Sequence, residues 1–369
     1  MKKNPGVNKV KRLVESKGYQ VDSISYIPRG IGHYNFDIVL NSGESLIARF
    51  ENDSRLAPDG KRRDPLYNGI LSLEREAAVC SLIKQRTGLP SPEIREKCFT
   101  RISPFLLVEK LHGEHWGDFM RNNDYSLKKY LDSLRFLGSD FAQLHKFKFE
   151  NYGDVMGEGN IQPKVDNFVE RLKTVFNLNL SRTEKLGILS EDDFDVLSRF
   201  FDSNIEELYN LFLSREKNPV LLFSDIHPMN YLVDEYGKPT GYFDLEFCQS
   251  GEPSLDLYGI NINFFSYFNE ALFFKARDSF YEGYKGNEGD YNLDNPVNMK
   301  VERLLSINHM LSAFVSYYGI KDGLRDKWSE QFRSLLFDTL LNSGLEIDYI
   351  RFFNIMRNKT NNPTEPLTP

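Results

Sequence analysis

The sequence predicts an α+β protein in two lobes, a small N-terminal lobe built on an antiparallel sheet and a larger, mostly helical C-terminal lobe. Three observations predict this. Val21 to Ile27, Tyr34 to Leu40 and Ser45 to Phe50 are short strand-like runs joined by glycine-bearing turns, the pattern of a meander. Long stretches beyond residue 125 repeat apolar residues at helical spacing. Between two such stretches, Leu221 to Leu257 reads as strand, polar loop, strand, turn and strand.

Composition sets the outer bounds. At 369 residues, 40 % hydrophobic and 27 % charged, the chain has the balance of a soluble globular protein with a sizeable core. Its 46 basic and 53 acidic residues give a formal net charge of −7, which argues against nucleic acid as a partner. Three widely spaced cysteines (Cys80, Cys98 and Cys248) suggest neither a disulfide framework nor a zinc site, so a reducing compartment is expected. The basic start lacks the apolar core of a secretory signal, and no apolar run approaches a membrane span. A cytoplasmic protein with no membrane partner is the expectation.

Taken in order, residues 6 to 18 read as an amphipathic helix, with Val7, Val10, Leu13 and Val14 on one face and Gly18 as its stop. The meander follows, turning at Pro28 to His33 and at Asn41 to Glu44. Residues 52 to 68 are polar and carry Pro58, Gly60 and Pro65, so a long loop is expected, its Lys61-Arg62-Arg63 run solvated. Residues 69 to 87 read as a helix, with Ile70, Leu73, Ala77, Cys80, Leu82 and Ile83 on one stripe. Residues 103 to 113 form an apolar strand that turns polar at Glu109-Lys110-Leu111. A long helix over 126 to 146 ends on Leu144-His145, and residues 151 to 163 read as a Gly-rich loop whose Asp154 and Glu158 could approach a substrate. Residues 165 to 181, 190 to 216, 258 to 286 and 296 to 347 have helical patterns, and the last residues form a polar, Pro-rich tail.

The stretch from Leu221 to Leu257 carries the chemistry. A hairpin holds its strand ends together, so Asp225 and Asn230 are expected beside Asp244. Two acids, an amide and His227 at one place suit phosphoryl transfer. One carboxylate accepts the proton of the attacking hydroxyl, while a second carboxylate and an amide hold Mg²⁺ on nucleotide phosphates. Asp225 to Asn230 has the Asp-x-x-x-x-Asn spacing of a kinase catalytic loop. Upstream, Gly30 and Gly32 would let backbone amides approach phosphates. Arg49 stands on the third strand where the kinase Val-Ala-Ile-Lys motif has its lysine, and a guanidinium can grip phosphate oxygens as a fork. Glu76 on the next helix is its expected partner, with Glu74 as the alternative.

Residues 223 to 230, Phe-Ser-Asp-Ile-His-Pro-Met-Asn, with Asp-Leu-Glu at 244 to 246, resemble the aminoglycoside phosphotransferase and choline kinase family of small-molecule kinases. That family's loop reads roughly His-Gly-Asp-Leu-His-Pro-Gly-Asn and its metal site Asp-Phe/Trp-Glu. Asp225, His227, Pro228, Asn230 and the Asp244/Glu246 pair match, whereas Phe223, Ser224 and Met229 depart. Asn35 matches an asparagine that often follows the family's glycines, and Gly-Glu-Pro-Ser-Leu-Asp-Leu at 251 to 257 resembles its Gly-Asp-Pro-x-x-Asp-Leu. The resemblance covers roughly residues 20 to 290. It implies a protein-kinase-like fold, a hinge at Glu109 to Leu111 whose backbone binds the adenine edge, and an Asp256 that braces the catalytic loop.

On this reading, residues 1–111 are a nucleotide-binding lobe, 112–358 a catalytic and substrate-binding lobe, and 359–369 a disordered tail. The expected activity is ATP- or GTP-dependent transfer of phosphate to a hydroxyl of a small molecule, an aminoglycoside-type antibiotic or a related sugar or amino alcohol. Asp225 would orient and deprotonate that hydroxyl. Asn230 and Asp244 would hold Mg²⁺, with Glu246 reaching it through water. Arg49 would steady the phosphates, and His227 would hold the loop's shape. The alternative is a nucleotide-binding pseudokinase with a regulatory or scaffold role, suggested by the missing His-Gly before Asp225 and by an arginine at position 49.

Overall fold

The computed structural model describes residues 5–28, 32–52, 62–63, 69–99, 104–122, 125–214, 216–268, 270–289, 295–318, 324–341, 348, 351–352 and 354–356. Gly30, the Lys61 end of the basic run and the tail 359–369 lie outside them.

The N-terminal part is helix α1 (Val7–Glu15), strands β1 (Val21–Ile27), β2 (His33–Leu40), β3 (Ser45–Glu51), β4 (Arg62–Arg63) and β5 (Ile70–Leu71), helix α2 (Leu73–Arg86), and strands β6 (Ile94–Cys98) and β7 (Phe105–Glu109). Five of the strands form one antiparallel sheet in the order β1-β2-β3-β7-β6. Successive side chains of a strand point to opposite faces, and here each face has its own cover. Leu46, Ala48 and Phe50 of β3 and Phe105 and Leu107 of β7 pack with Val10 and Val14 of α1. Ile47, Leu106 and Val108 pack with Leu73 and Ala77 of α2. Arg49 shares the parity of Ile47, so the alternation that buries the sheet aims its guanidinium at α2.

The chain then adds β8 (Glu114–His115), α3 (Trp116–Phe119), α4 (Leu127–His145), β9 (Tyr152–Val155), β10 (Ile161–Val165), α5 (Phe168–Leu186), α6 (Glu191–Leu213) and β11 (Val220–Leu222). It continues through β12 (Tyr231–Val233), β13 (Pro239–Tyr242), β14 (Gln249–Gly251), α7 (Pro253–Asn263), α8 (Glu270–Gly286), α9 (Pro296–Tyr317) and α10 (Leu324–Leu341). Two helical cores result. In one, α4 and α8 approach so closely that a Cβ on Gly138 would stand 2.0 Å from the Phe280 carbonyl oxygen, and one on Gly283 1.9 Å from that of Arg135. The other joins α5, α6, α7, α9 and α10. β12 pairs with β13 and with β8, so the chain enters this part by adding a strand to the β12–β13 hairpin. Among the described residues, no helix is long and apolar enough to cross a membrane.

The fold class is the expected one, and several local expectations are corrected. Residues 69 to 87 begin as β5, and helix α2 starts at Leu73 behind Ser72, whose hydroxyl accepts from Arg75 N. The expected loop at 151 to 163 is the hairpin of β9 and β10. Its Asp154 is buried between Arg171, at 2.7 Å, and Arg75, at 3.6 Å, so it is a structural node rather than a group held out to a substrate. The helical patterns over 258 to 286 and 296 to 347 each break into two helices. Arg62 is not solvated: it is 5 % exposed, in a strand paired with Ile70–Leu71.

Candidate active site

The loop from Phe223 to Asn230 is held from beneath. Asp256, fully buried near the start of α7, accepts from Phe223 N and Ser224 N, each at 2.9 Å, while His145 Nε2 lies 3.3 Å from the same carboxylate. His145 Nδ1 in turn meets the Tyr284 hydroxyl at 2.8 Å. Ser224 stands at φ 66°, a left-handed conformation that costs a residue with a Cβ about 1–2 kcal/mol. This explains why glycine suits that position, and two contacts offset the cost here: the Asp256 bond, and Gln249 Nε2 donating to Ser224 Oγ at 2.7 Å.

Beyond Asp225 the chain turns through Pro228–Asn230, a single 3-10 turn capped by His227, whose Nδ1 accepts from Met229 N at 3.1 Å. The amide of Asn230 donates to Asp225 Oδ2 at 3.1 Å, and Asn230 O accepts from Phe243 N at 3.2 Å. That last bond sets Asp225 and Asn230 beside Asp244, which follows β13 at φ 61° and is 31 % exposed through its side chain.

Across from this loop stands a cluster of charge. Arg49 is buried, with Nε 3.1 Å from Glu76 Oε2 and Nη2 2.6 Å from Asp244 Oδ1. Burial works against its charge, but Glu76, Asp244 and Glu246 outweigh burial and raise its pKa. Glu74 is exposed, so Glu76 is the glutamate that meets Arg49. Glu246 is 1 % exposed; it accepts from Arg62 and lies 3.8 Å from His33 Nε2. Burial, with Asp244 and Glu76 nearby, pushes the Glu246 pKa up against the pull of Arg62. His33 sits between the two arginines, Nδ1 at 2.9 Å from Arg49 and Nε2 at 2.7 Å from Arg62. Burial first, then the two guanidinium groups, hold its pKa well below the ordinary value, so the ring is neutral.

The other expected residues fall as follows. Asn35 lies opposite Arg49 in the β2–β3 register. Gly32 is beside Arg62 and Glu246, where a Cβ would stand 3.3 Å from Arg62 Nη2 and 3.5 Å from Glu246 Oε1. Glu109 ends β7 and turns its carboxylate to Glu93 N at 3.1 Å, and Leu111 packs on Gly241 of β13. The sequence reading missed His33 and Arg62. Strand parity could have found His33, two residues before Asn35 on the same face of β2. No pattern points to Arg62, whose partner Glu246 is 184 residues away.

A loop of this form, next to an acid at a hairpin end and facing a strand cation paired with a helix glutamate, has the layout of a kinase site. A model of the phosphotransferase enzyme family matches residues 23–293. The chain belongs to that family. The assignment makes it a phosphotransferase. No curated protein matches its sequence. Its fold is that of a candidate fructosamine-3-kinase from Thermobifida fusca (TM-score 0.57, 16 % identity, covering 91 % of this chain and 98 % of that one). The aminoglycoside phosphotransferase APH(2'')-Ib with ADP bound is similar too (TM-score 0.56, 14 % identity, 94 % and 99 % covered). So is a macrolide 2'-phosphotransferase from Brachybacterium faecium (TM-score 0.51, 14 % identity, 92 % and 100 % covered).

Proposed function

We propose that the protein moves the γ-phosphate of ATP or GTP to a hydroxyl of a small molecule, with Asp225 as the base. The observation that supports this best is that Asp225, its carboxylate fixed by the Asn230 amide, lines a cavity, while Phe243 N donates to Asn230 O next to Asp244. Asp225 accepts the hydroxyl proton as that oxygen attacks phosphorus, help worth about 10²–10⁴-fold in rate. His227 caps the 3-10 turn and keeps Asp225 in place.

Asp244 and Asn230 suit Mg²⁺. Asp244 is a partly exposed carboxylate, and Asn230, with its nitrogen turned to Asp225, keeps its carbonyl oxygen for a metal. Both are hard oxygen donors. His33, Asp244 and Glu246 also lie within 4.8 Å of one another, but Arg49 and Arg62 both press on that trio and disfavour a cation there. Mg²⁺ held by Asn230 and Asp244 would neutralise phosphate charge. Arg49, set by Glu76, turns from Asp244 to a phosphate oxygen when nucleotide enters. Glu246 holds Arg62 rather than metal. In this reading residues 1–111 carry the nucleotide, with Gly32 and Asn35 over its phosphates and the Glu109 to Leu111 backbone at its base. Residues 112–358 carry the catalytic loop and the acceptor.

Nucleotide titrations with and without Mg²⁺ test this. Tight binding should need the metal, and Asp244→Asn should weaken metal-dependent binding by about tenfold or more, the loss of one charge-assisted ligand. Metal-independent binding that ignores Asp244→Asn would contradict it.

A further inference from the structure

Asp225 opens onto a cavity of about 230 Å³ between α5, α7 and α9. Its walls differ. Leu172, Val175 and Phe176 of α5 and Leu255 and Ile262 of α7 make it apolar on one side. On the other, α9 presents Asn308, Ser312 and Ser316, four residues apart and therefore on one helical face, with Leu305, His309 and Ala313 of the same helix also in the lining. Asn308 is fixed: its oxygen accepts from Asn179 Nδ2 at 2.8 Å, which leaves its amide hydrogens to donate. Among the described residues, Asp225 is the only carboxylate of the lining, and no lysine or arginine joins it.

Charge and size both narrow the acceptor. An ammonium group taken out of water needs a compensating anion, and several of them need several. Here the one carboxylate is required as the base. The volume is about 230 Å³. That falls below the roughly 300–1,000 Å³ of pockets for drug-sized ligands. A ring with hydroxyls along one edge and C–H bonds on its face matches a polar wall opposite an apolar one.

We propose that this cavity is the acceptor site and that it takes a compact, uncharged polyhydroxyl molecule of about monosaccharide size rather than a polyamine. The α9 stripe of Asn308, Ser312 and Ser316 reads its hydroxyls. This rests on the phosphotransferase reading and deepens it.

The test measures binding and transfer separately. Neutral monosaccharides and polyols, and polyamines, are titrated by calorimetry into the protein held with Mg²⁺ and a non-hydrolysable nucleotide. The same compounds are then assayed as acceptors of label from the γ-phosphate. A neutral compound should bind with an affinity insensitive to salt. Ser312→Trp, which fills the cavity, should weaken that binding by at least about tenfold. Ser312→Asp, nearly the same size, should weaken it while admitting amines, and nucleotide affinity reports that each variant is folded. Polyamines binding more tightly, with steep salt dependence, would overturn the proposal. So would a neutral ligand indifferent to Ser312→Trp, or no binding in either class. A neutral ligand that binds here yet never receives phosphate would overturn the phosphotransferase reading instead, and transfer to a polyamine alone would keep that reading and overturn this one.

Discussion

The two walls of the site are built on opposite principles. The N-terminal wall is charge on charge: Arg49 with Glu76 and Asp244, Arg62 with Glu246, and a neutral His33 between the arginines. These groups come from β2, β3, β4, α2 and the end of the β12–β13 hairpin. The C-terminal wall is a loop shaped by hydrogen bonds, with Asp256 beneath it, His227 capping its turn and a largely uncharged cavity in front. Charge is concentrated where phosphates and metal would lie, and shape and neutral donors where an acceptor would.

If the C-terminal wall depends on its buried brace, Asp256→Ala should be the most damaging change. It leaves two backbone N–H groups without their acceptor, at about 1–3 kcal/mol each. Urea denaturation should show a loss of roughly 3 kcal/mol. If the N-terminal wall serves binding instead, Arg49→Met should act on the nucleotide. Losing a charge-assisted contact of about 1.5–3 kcal/mol predicts an affinity roughly 10- to 100-fold weaker, with a shallower salt dependence. A salt dependence unchanged in Arg49→Met would erase the contrast between the walls.

The scaffold under the C-terminal wall also carries a pH signature. Burial raises the Asp140 pKa to about 6 although the Tyr242 hydroxyl donates to it. A carboxyl whose folded pKa is raised binds its proton more tightly in the folded state. Its contribution is full below the unfolded value near 4 and lost as pH rises through 6. Thermal melts should show wild type losing up to roughly 2 kcal/mol between pH 4 and 7 relative to Asp140→Asn. The smallest effect is expected at Ser224→Gly. It relieves a left-handed φ but forfeits the Gln249 bond, for a net change within about 1 kcal/mol by the same melts.

Much of this was legible because local rules agree with the fold. Alternation along β3 separates Ala48 and Phe50 from Ile47 and Arg49, so the face that Arg49 occupies follows from its neighbours. The hairpin of β12 and β13 follows from its turn residues, and it brings Asn230 to Phe243. What stayed hidden depends on distant partners. Arg62 looks like any residue of a solvated basic run until Glu246 is folded against it. Asp154 reads as a loop acid because its partners Arg75 and Arg171 lie in two separate helices. The helix break near residue 264 carries no proline or glycine to announce it.

The most direct test of the account is label transfer from γ-labelled ATP and GTP, with Mg²⁺, to a panel of hydroxylated small molecules by wild type and Asp225→Asn. The account predicts a labelled product whose rate falls by about 10²–10⁴-fold in the variant, with nucleotide affinity little changed. Transfer that survives Asp225→Asn at full rate would contradict it, because the loop from Phe223 to Asn230 would then not supply the base.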